Sequence, residues 1–200
     1  MQTAALKPRT IVAFAIAIFP GIASAQVQLP APNTVTVGGD VGPLYIEGDP
    51  VKKDFFSTAS AAAHVEYYYN PRVSLRGSFG YANPEYQSDA ARTLQQKRVI
   101  FNLLYYPLTG RSRTFERFRP FATIGGGAYF LETRLADLTV HNSGGKAGGN
   151  FGGGAEYWWR TFAVRTEFLV HVVGKADLGT SVNGATWMFG IKVPIFRGKR

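Results

Sequence analysis

From Thr34 onward, oily and polar side chains alternate with a period of two, in segments of about ten residues divided by polar or glycine- and proline-containing connections. Successive side chains of a strand point to opposite faces, so each segment reads as a ribbon with one greasy and one polar side. The stretch from Phe162 to Val172 is the clearest. Phe162, Val164, Phe168, Val170 and Val172 share one side, while Arg165, Glu167 and His171 occupy the other. The last segment repeats the pattern, with Trp187, Phe189, Ile191, Val193 and Ile195 opposed to Thr186, Met188, Gly190 and Lys192. A soluble sandwich would bury the oily side. Here the opposite side carries charge in segment after segment, which fits an inverted object with lipid outside and polar groups within.

Eight segments of this kind are found, at Thr34–Ile46, Ser60–Tyr69, Arg72–Tyr81, Lys97–Pro107, Phe118–Leu131, Gly148–Trp158, Phe162–Val172 and Ala185–Phe196. The connections between them are 47–59, Asn70-Pro71, 82–96, 108–117, 132–147, 159–161 and 173–184. Those after odd-numbered strands are long and the others shorter, as in barrels with short periplasmic turns, longer external loops and periplasmic termini. The fold predicted is therefore all-β: an eight-stranded antiparallel up-and-down transmembrane β-barrel, in a bacterial cell outer membrane. A barrel of eight strands has an interior just wide enough for side chains to fill, which excludes a general diffusion pore.

The start of the chain reads differently. Lys7 and Arg9 precede an apolar run from Ile11 to Phe19, then Pro20-Gly21 and Ala23-Ser24-Ala25, the three-part grammar of a secretory signal peptide. The run is about half the length that a helix needs to cross a bilayer. The expected organisation is a signal peptide over 1–25, a short linker over 26–33, the barrel over 34–196 and a basic tail over 197–200. Removal of Lys7 and Arg9 lowers the formal net charge from +9 to +7. There is no cysteine, so neither a disulfide framework nor thiol chemistry is available.

Continued through every strand, the alternation assigns charged residues of both signs to the lumen. Asp40, Glu66, Arg76, Arg98, Glu156, Arg165, Glu167 and Lys192 are expected to form an ion-pair network there, with His64 and His171 on the same side. Aromatic residues at strand ends take the outward parity and are expected at the two membrane interfaces: Tyr67, Tyr69, Tyr105, Tyr157 and Trp159 on the periplasmic side, and Phe79, Tyr81, Phe130 and Trp187 on the external side. The periplasmic rim is assigned Arg111, Arg113, Arg117, Arg119, Arg160, Arg197, Lys199 and Arg200 against the single acid Glu116. That surplus accounts for the whole net charge of the mature chain, and it faces the inner leaflet, where phospholipid headgroups carry negative charge.

The partner expected is outer-membrane lipid. No nucleic-acid-binding motif accompanies the basic balance, so no nucleic acid is expected. The glycine-rich run from Gly144 to Gly154 lacks the spacing of a phosphate loop. Gly125, Gly126, Gly127, Gly152, Gly153 and Gly154 are instead expected to relieve crowding where a small barrel bends. His64, His141 and His171 complete no zinc spacing or nucleophile elbow, and His141 is read as a loop residue. No catalytic residue, metal or cofactor is predicted. Specific contacts are assigned to the external loops, in which Lys52, Lys53, Asp54, Phe55, Phe56, Glu85, Tyr86 and Arg92 mix charge with aromatic rings.

Three stretches carry a family resemblance: Arg119-Pro120-Phe121-Ala122-Thr123-Ile124-Gly125-Gly126-Gly127-Ala128-Tyr129, Gly152-Gly153-Gly154-Ala155-Glu156-Tyr157 and Val164-Arg165-Thr166-Glu167-Phe168. Through them the chain resembles the small outer-membrane β-barrel domain family, OmpA-like and opacity-porin-like proteins, from Thr34 to Phe196. The resemblance implies a structural or surface-interaction role and a terminal aromatic read by the barrel-assembly machinery during biogenesis, for which Phe196 is the counterpart, followed here by Arg197-Gly198-Lys199-Arg200. Two alternatives share the architecture. One is a narrow gated channel. The other is a lipid A deacylase-like hydrolase, a family whose seventh strand ends in His-x-Ser-Asn; this chain has His171-Val172-Val173-Gly174, without the serine.

Overall fold

The computed structural model of the protein describes residues 30–46, 58–84, 93–109, 117–134, 140–173 and 183–197. Eight strands follow one another: β1 (Thr34–Ile46), β2 (Thr58–Asn70), β3 (Val73–Ala82), β4 (Thr93–Tyr105), β5 (Phe118–Arg134), β6 (Val140–Trp159), β7 (Phe162–Val173) and β8 (Gly184–Phe196). Each pairs with the next, and β8 returns to β1 in antiparallel register from Val35↔Phe196 to Ile46↔Gly184, closing the barrel. The predicted fold class and strand count are those observed. The expected signal peptide lies outside the described residues, as do residues 26–29 of the linker and 198–200 of the tail.

The alternation dictates which way each strand faces. On β7 the inward residues Ala163, Arg165, Glu167, Leu169, His171 and Val173 are buried, while Val164, Phe168 and Val172 are exposed. Large apolar side chains cover the outer wall, among them Val41, Leu75, Phe101, Ile124 and Ile195, each more than half exposed. Polar and charged side chains fill the inside. This is the reverse of a soluble protein and fits a wall solvated by hydrocarbon, where closure also leaves no strand edge with unpaired backbone groups.

The turn β2–β3 is short because Asn70 organises it: its Oδ1 accepts from the backbone N–H of Arg72 at 2.8 Å and of Val73 at 2.9 Å. The β6–β7 turn at 160–161 is as tight, and Arg160 adopts a left-handed φ of 53° there. Both turns lie at the end of the barrel that holds the 106–117 connection and the two ends of the sheet.

One expected loop is different in the structure. The segment 132–147 was expected as an external connection, and 135–139 alone separates β5 from β6. Glu132↔Ser143, Leu131↔Gly144 and Phe130↔Gly145 continue the pairing. The hairpin extends past the apolar belt, where neither face is required to be oily, so composition stops marking the strand although the backbone ladder continues. His141, expected in a loop, belongs to β6 for the same reason, and β4 likewise starts at Thr93 rather than Lys97.

Most of the central glycines of β5 and β6 sit where neighbouring strands leave no room for a side chain. A Cβ on Gly125 would strike the carbonyl oxygen of Phe101, one on Gly127 that of Val99, and one on Gly152 that of Phe168. These three positions point into the sharply curved interior, and Gly126 and Gly153, on the other parity, would place a Cβ 2.9 Å from the carbonyls of Gly148 and Phe121. Gly127→Val should therefore abolish the closed barrel. Wild-type protein extracted from membranes is expected to migrate faster in a gel when unboiled than when boiled, and the variant to show no such shift; a normal shift for Gly127→Val would contradict this account of the curvature.

Candidate functional site: the charged lumen

The lumen holds nine charged side chains from every strand: Asp40 of β1, Glu66 of β2, Arg76 of β3, Arg98 of β4, Arg119 of β5, Glu156 of β6, Arg165 and Glu167 of β7, and Lys192 of β8, none more than 7% exposed. They are distributed in three tiers.

Nearest the short turns, Glu66 and Glu156 share one ammonium. Lys192 Nζ lies 3.0 Å from Glu66 Oε2 and pairs also with Glu156 Oε2, while donating to the hydroxyl of Tyr68. Glu66 Oε1 accepts from Ser74 Oγ at 2.6 Å and from Tyr106 OH at 2.7 Å. Glu156 Oε1 accepts from Trp158 Nε1 at 2.8 Å and from Arg119 Nη1 at 3.1 Å. The Arg119 guanidinium also donates through Nη2 to the Pro71 carbonyl at 2.5 Å and lies 4.2 Å from the Tyr106 ring centre, a cation–π contact. Tyr68, Leu104, Tyr106 and Phe121 pack together around it. Each oxygen of the two carboxylates thus faces a donor, which is the condition under which buried charge is tolerated.

In the middle tier Glu167 bridges two arginines, accepting from Arg76 Nη2 at 2.5 Å and from Arg165 Nη2 at 2.8 Å. Asp40 stands between Arg165 Nε at 3.5 Å and His64 Nδ1 at 3.0 Å. These last contacts are close without the alignment of good hydrogen bonds.

Toward the opposite end the charges thin out. Arg98 donates to Ser60 Oγ at 2.8 Å and has no carboxylate within ion-pair distance among the described residues. His171 is 2.9 Å from Tyr129 OH through Nδ1 and 3.1 Å from Thr186 Oγ1 through Nε2. Asn102 Nδ2 donates to Asn150 Oδ1 at 2.5 Å and Thr123 Oγ1 at 3.1 Å. Ile100, Tyr129 and Val173 form an apolar cluster at this end.

Seven of the eight residues assigned to the network from the sequence are thereby brought into ion pairs, and Arg98 is buried beside them with a hydroxyl partner instead. Arg119, assigned from the sequence to the periplasmic rim, points into the lumen and is 1% exposed. Its parity, shared with the buried Phe121 and Thr123, carried that information; its position at a strand start masked it. Tyr68, Tyr106 and Trp158 were also missed. Tyr67-Tyr68-Tyr69 is aromatic without interruption, so the alternation gives no sign that the middle ring faces in.

A second missed signal is glycine opposite charge. His64 pairs across strands with Gly38, Asp40 with Gly190, and Arg98 with Gly80. A Cβ on Gly38 would approach His64 Nε2 to 2.6 Å, and one on Gly80 would approach Arg98 Nε to 2.5 Å. Glycine gives each large polar group space over the neighbouring backbone.

The nine aromatic residues assigned to the membrane interfaces all lie on the outer wall, with exposures from 37% for Tyr67 to 68% for Tyr69 and with Phe79, Tyr81, Tyr105, Phe130, Tyr157, Trp159 and Trp187 between. Tyr157 and Trp159 meet edge to face with ring centres 6.4 Å apart.

The Thr186–His171–Tyr129 chain has the outward form of a nucleophile with a base and its orienting partner. Thr186 is wholly buried, however, and the lumen around it is occupied by side chains. Val173, at the place of the deacylase serine, offers no nucleophile and is itself buried.

No family model and no curated protein matches the sequence. Solved structures do. Neisserial surface protein A is similar at a TM-score of 0.62 and 12% identity, over 80% of this chain and 96% of that one. The N-terminal β-barrel domain of Pseudomonas aeruginosa OprF is similar at 0.57 and 13%, over 82% and 98%. Ail, the attachment invasion locus protein of Yersinia pestis, is similar at 0.55 and 12%, over 82% and 99%. At these identities the likeness carries the fold: this is the architecture of the small bacterial outer-membrane barrels.

The network predicts a contrast between inside and outside. Glu167→Ala leaves Arg76 and Arg165 buried without their shared carboxylate and should cost about 3–5 kcal/mol. Glu132→Ala removes a half-exposed pair with Lys97, 3.6 Å long on the outer wall, and should cost under about 1 kcal/mol. Guanidinium unfolding of protein refolded in phospholipid vesicles measures both; equal midpoints for the two variants would refute the structural weight given to the lumen.

Proposed function

We propose that the protein is a non-enzymatic outer-membrane barrel whose charged lumen is a permanent plug and whose external loops make surface contacts. The observation that carries this reading is the filling of the interior: ion pairs cross the lumen between β3 and β7, β8 and β2, and β8 and β6, and the side chains that make them are buried. A plugged barrel neither conducts nor admits a substrate, and what remains for function is its two ends. The end bearing connections 47–57, 83–92, 135–139 and 174–183 is the one expected outside the cell, and most of these residues lie outside the described ones.

The structural likeness supports this reading. One of the similar proteins is by name a surface protein and another an attachment protein, and Ail has also been solved with the heparin analogue sucrose octasulfate. In this reading outer-membrane lipid is the solvent of the wall, the tyrosines and tryptophans named above sit at its two interfaces, and the barrel-assembly machinery engages β8, which ends on Phe196.

Three measurements test the proposal. Planar-bilayer recording of the purified protein should show no large, stable conductance, and a persistent open channel would defeat the plug. Incubation with lipopolysaccharide should release no 3-hydroxy fatty acid; release that disappears in His171→Ala would replace this reading by the hydrolase one. Shortening 47–57 and 174–183 to tight turns should preserve the heat-dependent gel shift while removing adhesion of expressing cells to immobilised sulfated glycans and matrix proteins. Adhesion unchanged by the trimming would place the contact elsewhere.

A further inference from the structure

The lumen does not balance its own charge. Among the described residues it buries five cations, Arg76, Arg98, Arg119, Arg165 and Lys192, against four carboxylates, Asp40, Glu66, Glu156 and Glu167. All four carboxylates are engaged: Asp40 with Arg165, Glu66 with Lys192, Glu156 with Lys192 and Arg119, and Glu167 with Arg76 and Arg165. The excess positive charge therefore resides on Arg98, which is 4% exposed, and protonation of His64 or His171 would only enlarge it. A guanidinium keeps its charge, so its burial cannot be relieved by loss of a proton as it can for a lysine.

The surroundings of Arg98 are suited to an opposite charge. Its side chain lies over the backbone of Gly80, where a Cβ would come within 2.5 Å of Nε and 3.1 Å of Cζ. Its one hydrogen bond among the described residues runs from Nη2 to Ser60 Oγ at 2.8 Å, which leaves its other N–H groups without an acceptor there. Ser60 is 3% exposed and donates its own proton to no other described group. Gln96 lies two residues from Arg98 on the same face of β4, and Ala82 is the cross-strand partner of both Gln96 and Ser60. Gln96 is also 3% exposed, and its Oε1 has no hydrogen-bond partner. Turning that amide about its last torsion brings N–H donors to the place of the orphaned oxygen.

We propose that the half of the lumen away from the short turns binds a small inorganic anion, of which chloride is the type, between the Arg98 guanidinium and the Ser60 hydroxyl, with the Gln96 amide as a third donor. Size favours an ion over a larger molecule, because an eight-stranded interior is nearly filled by its own side chains. The site is a dead end. The middle tier presents the carboxylates of Asp40 and Glu167, which repel an anion moving further along the axis. The ion is thus a resident counter-charge and is not in transit, which is compatible with a plugged barrel.

Full-length protein refolded in phospholipid vesicles gives the test. Its urea midpoint should rise when gluconate is replaced by chloride at constant ionic strength, and above saturation the gain should grow with the logarithm of chloride concentration. Chloride NMR should show a line broadened by the protein and sharpened again by competing bromide. Ser60→Ala removes a hydrogen bond to a charged ligand and should weaken chloride binding at least about tenfold. Arg98→Met, similar in length and uncharged, should keep the heat-dependent gel shift and lose the chloride dependence. Arg72→Gln, at an exposed turn, should leave that dependence as in the wild type. A wild-type midpoint indifferent to chloride would overturn the site, and is the result expected if an acidic side chain of a connecting loop neutralised Arg98 instead. Broadening undiminished in folded Arg98→Met, or unaltered affinity in Ser60→Ala, would overturn it as well. None of these readouts depends on conductance or on loop-mediated adhesion.

Discussion

A backbone that enters hydrocarbon must satisfy all its hydrogen bonds internally, and for strands this is possible only in a closed cylinder. That requirement governs the rest of the molecule. Closing eight strands sets the lumen at a width that side chains can fill and water cannot flow through. The wall must then be oily outside, which leaves polar residues as the lumen lining. Once charges are inside, each must find a hydrogen-bonding partner, an opposite charge for most and the Ser60 hydroxyl for Arg98, because breaking a buried ion pair costs about 3–5 kcal/mol. The ion pairs of the interior are thus a consequence of closure at this strand number.

The network in turn specifies which closed cylinder forms. Its contacts join strands that are not neighbours in the sheet: Arg76 on β3 reaches Glu167 on β7, and Lys192 on β8 reaches Glu66 on β2 and Glu156 on β6. A one-residue slip of any strand would turn its lumen set toward lipid and its greasy set inward. Backbone ladders alone tolerate such a slip; a bridging carboxylate held by cations from two different strands does not. Glycine completes the arrangement at Gly38, Gly80 and Gly190, where a large polar group on the facing strand needs the volume that a Cβ would take.

How much of this was legible in the sequence follows from where lipid acts. Along β7 and β8 one face must be hydrocarbon-like, so alternation reports orientation residue by residue, and Arg165, Glu167 and Lys192 could be placed inside from parity. Beyond the apolar belt that pressure disappears, and the continuation of β5 and β6 through Glu132 and Ser143 is invisible to composition although the ladder persists. Runs of one chemical type hide parity as well, which is why Tyr68 could not be separated from Tyr67 and Tyr69. Cross-strand partners were illegible for a different reason. Arg98 can be assigned to the lumen from its own strand, but whether it meets a carboxylate or Ser60 depends on register and barrel shear, which are properties of the closed sheet.

The two ends of the cylinder obey different physics. At the end with tight turns the chain emerges and re-enters within two residues, Pro71-Arg72 between β2 and β3 and Arg160-Thr161 between β6 and β7. At the other end the connections are longer and free of the alternation rule, and among the described residues β4, β5 and β6 continue their ladder pairing past the belt. A plug in the middle isolates these ends from one another chemically while joining them mechanically, since every strand contributes to it. A barrel built this way gains no transport from its lumen. It gains a rigid frame on which the longer connections can vary in sequence without disturbing the fold beneath them.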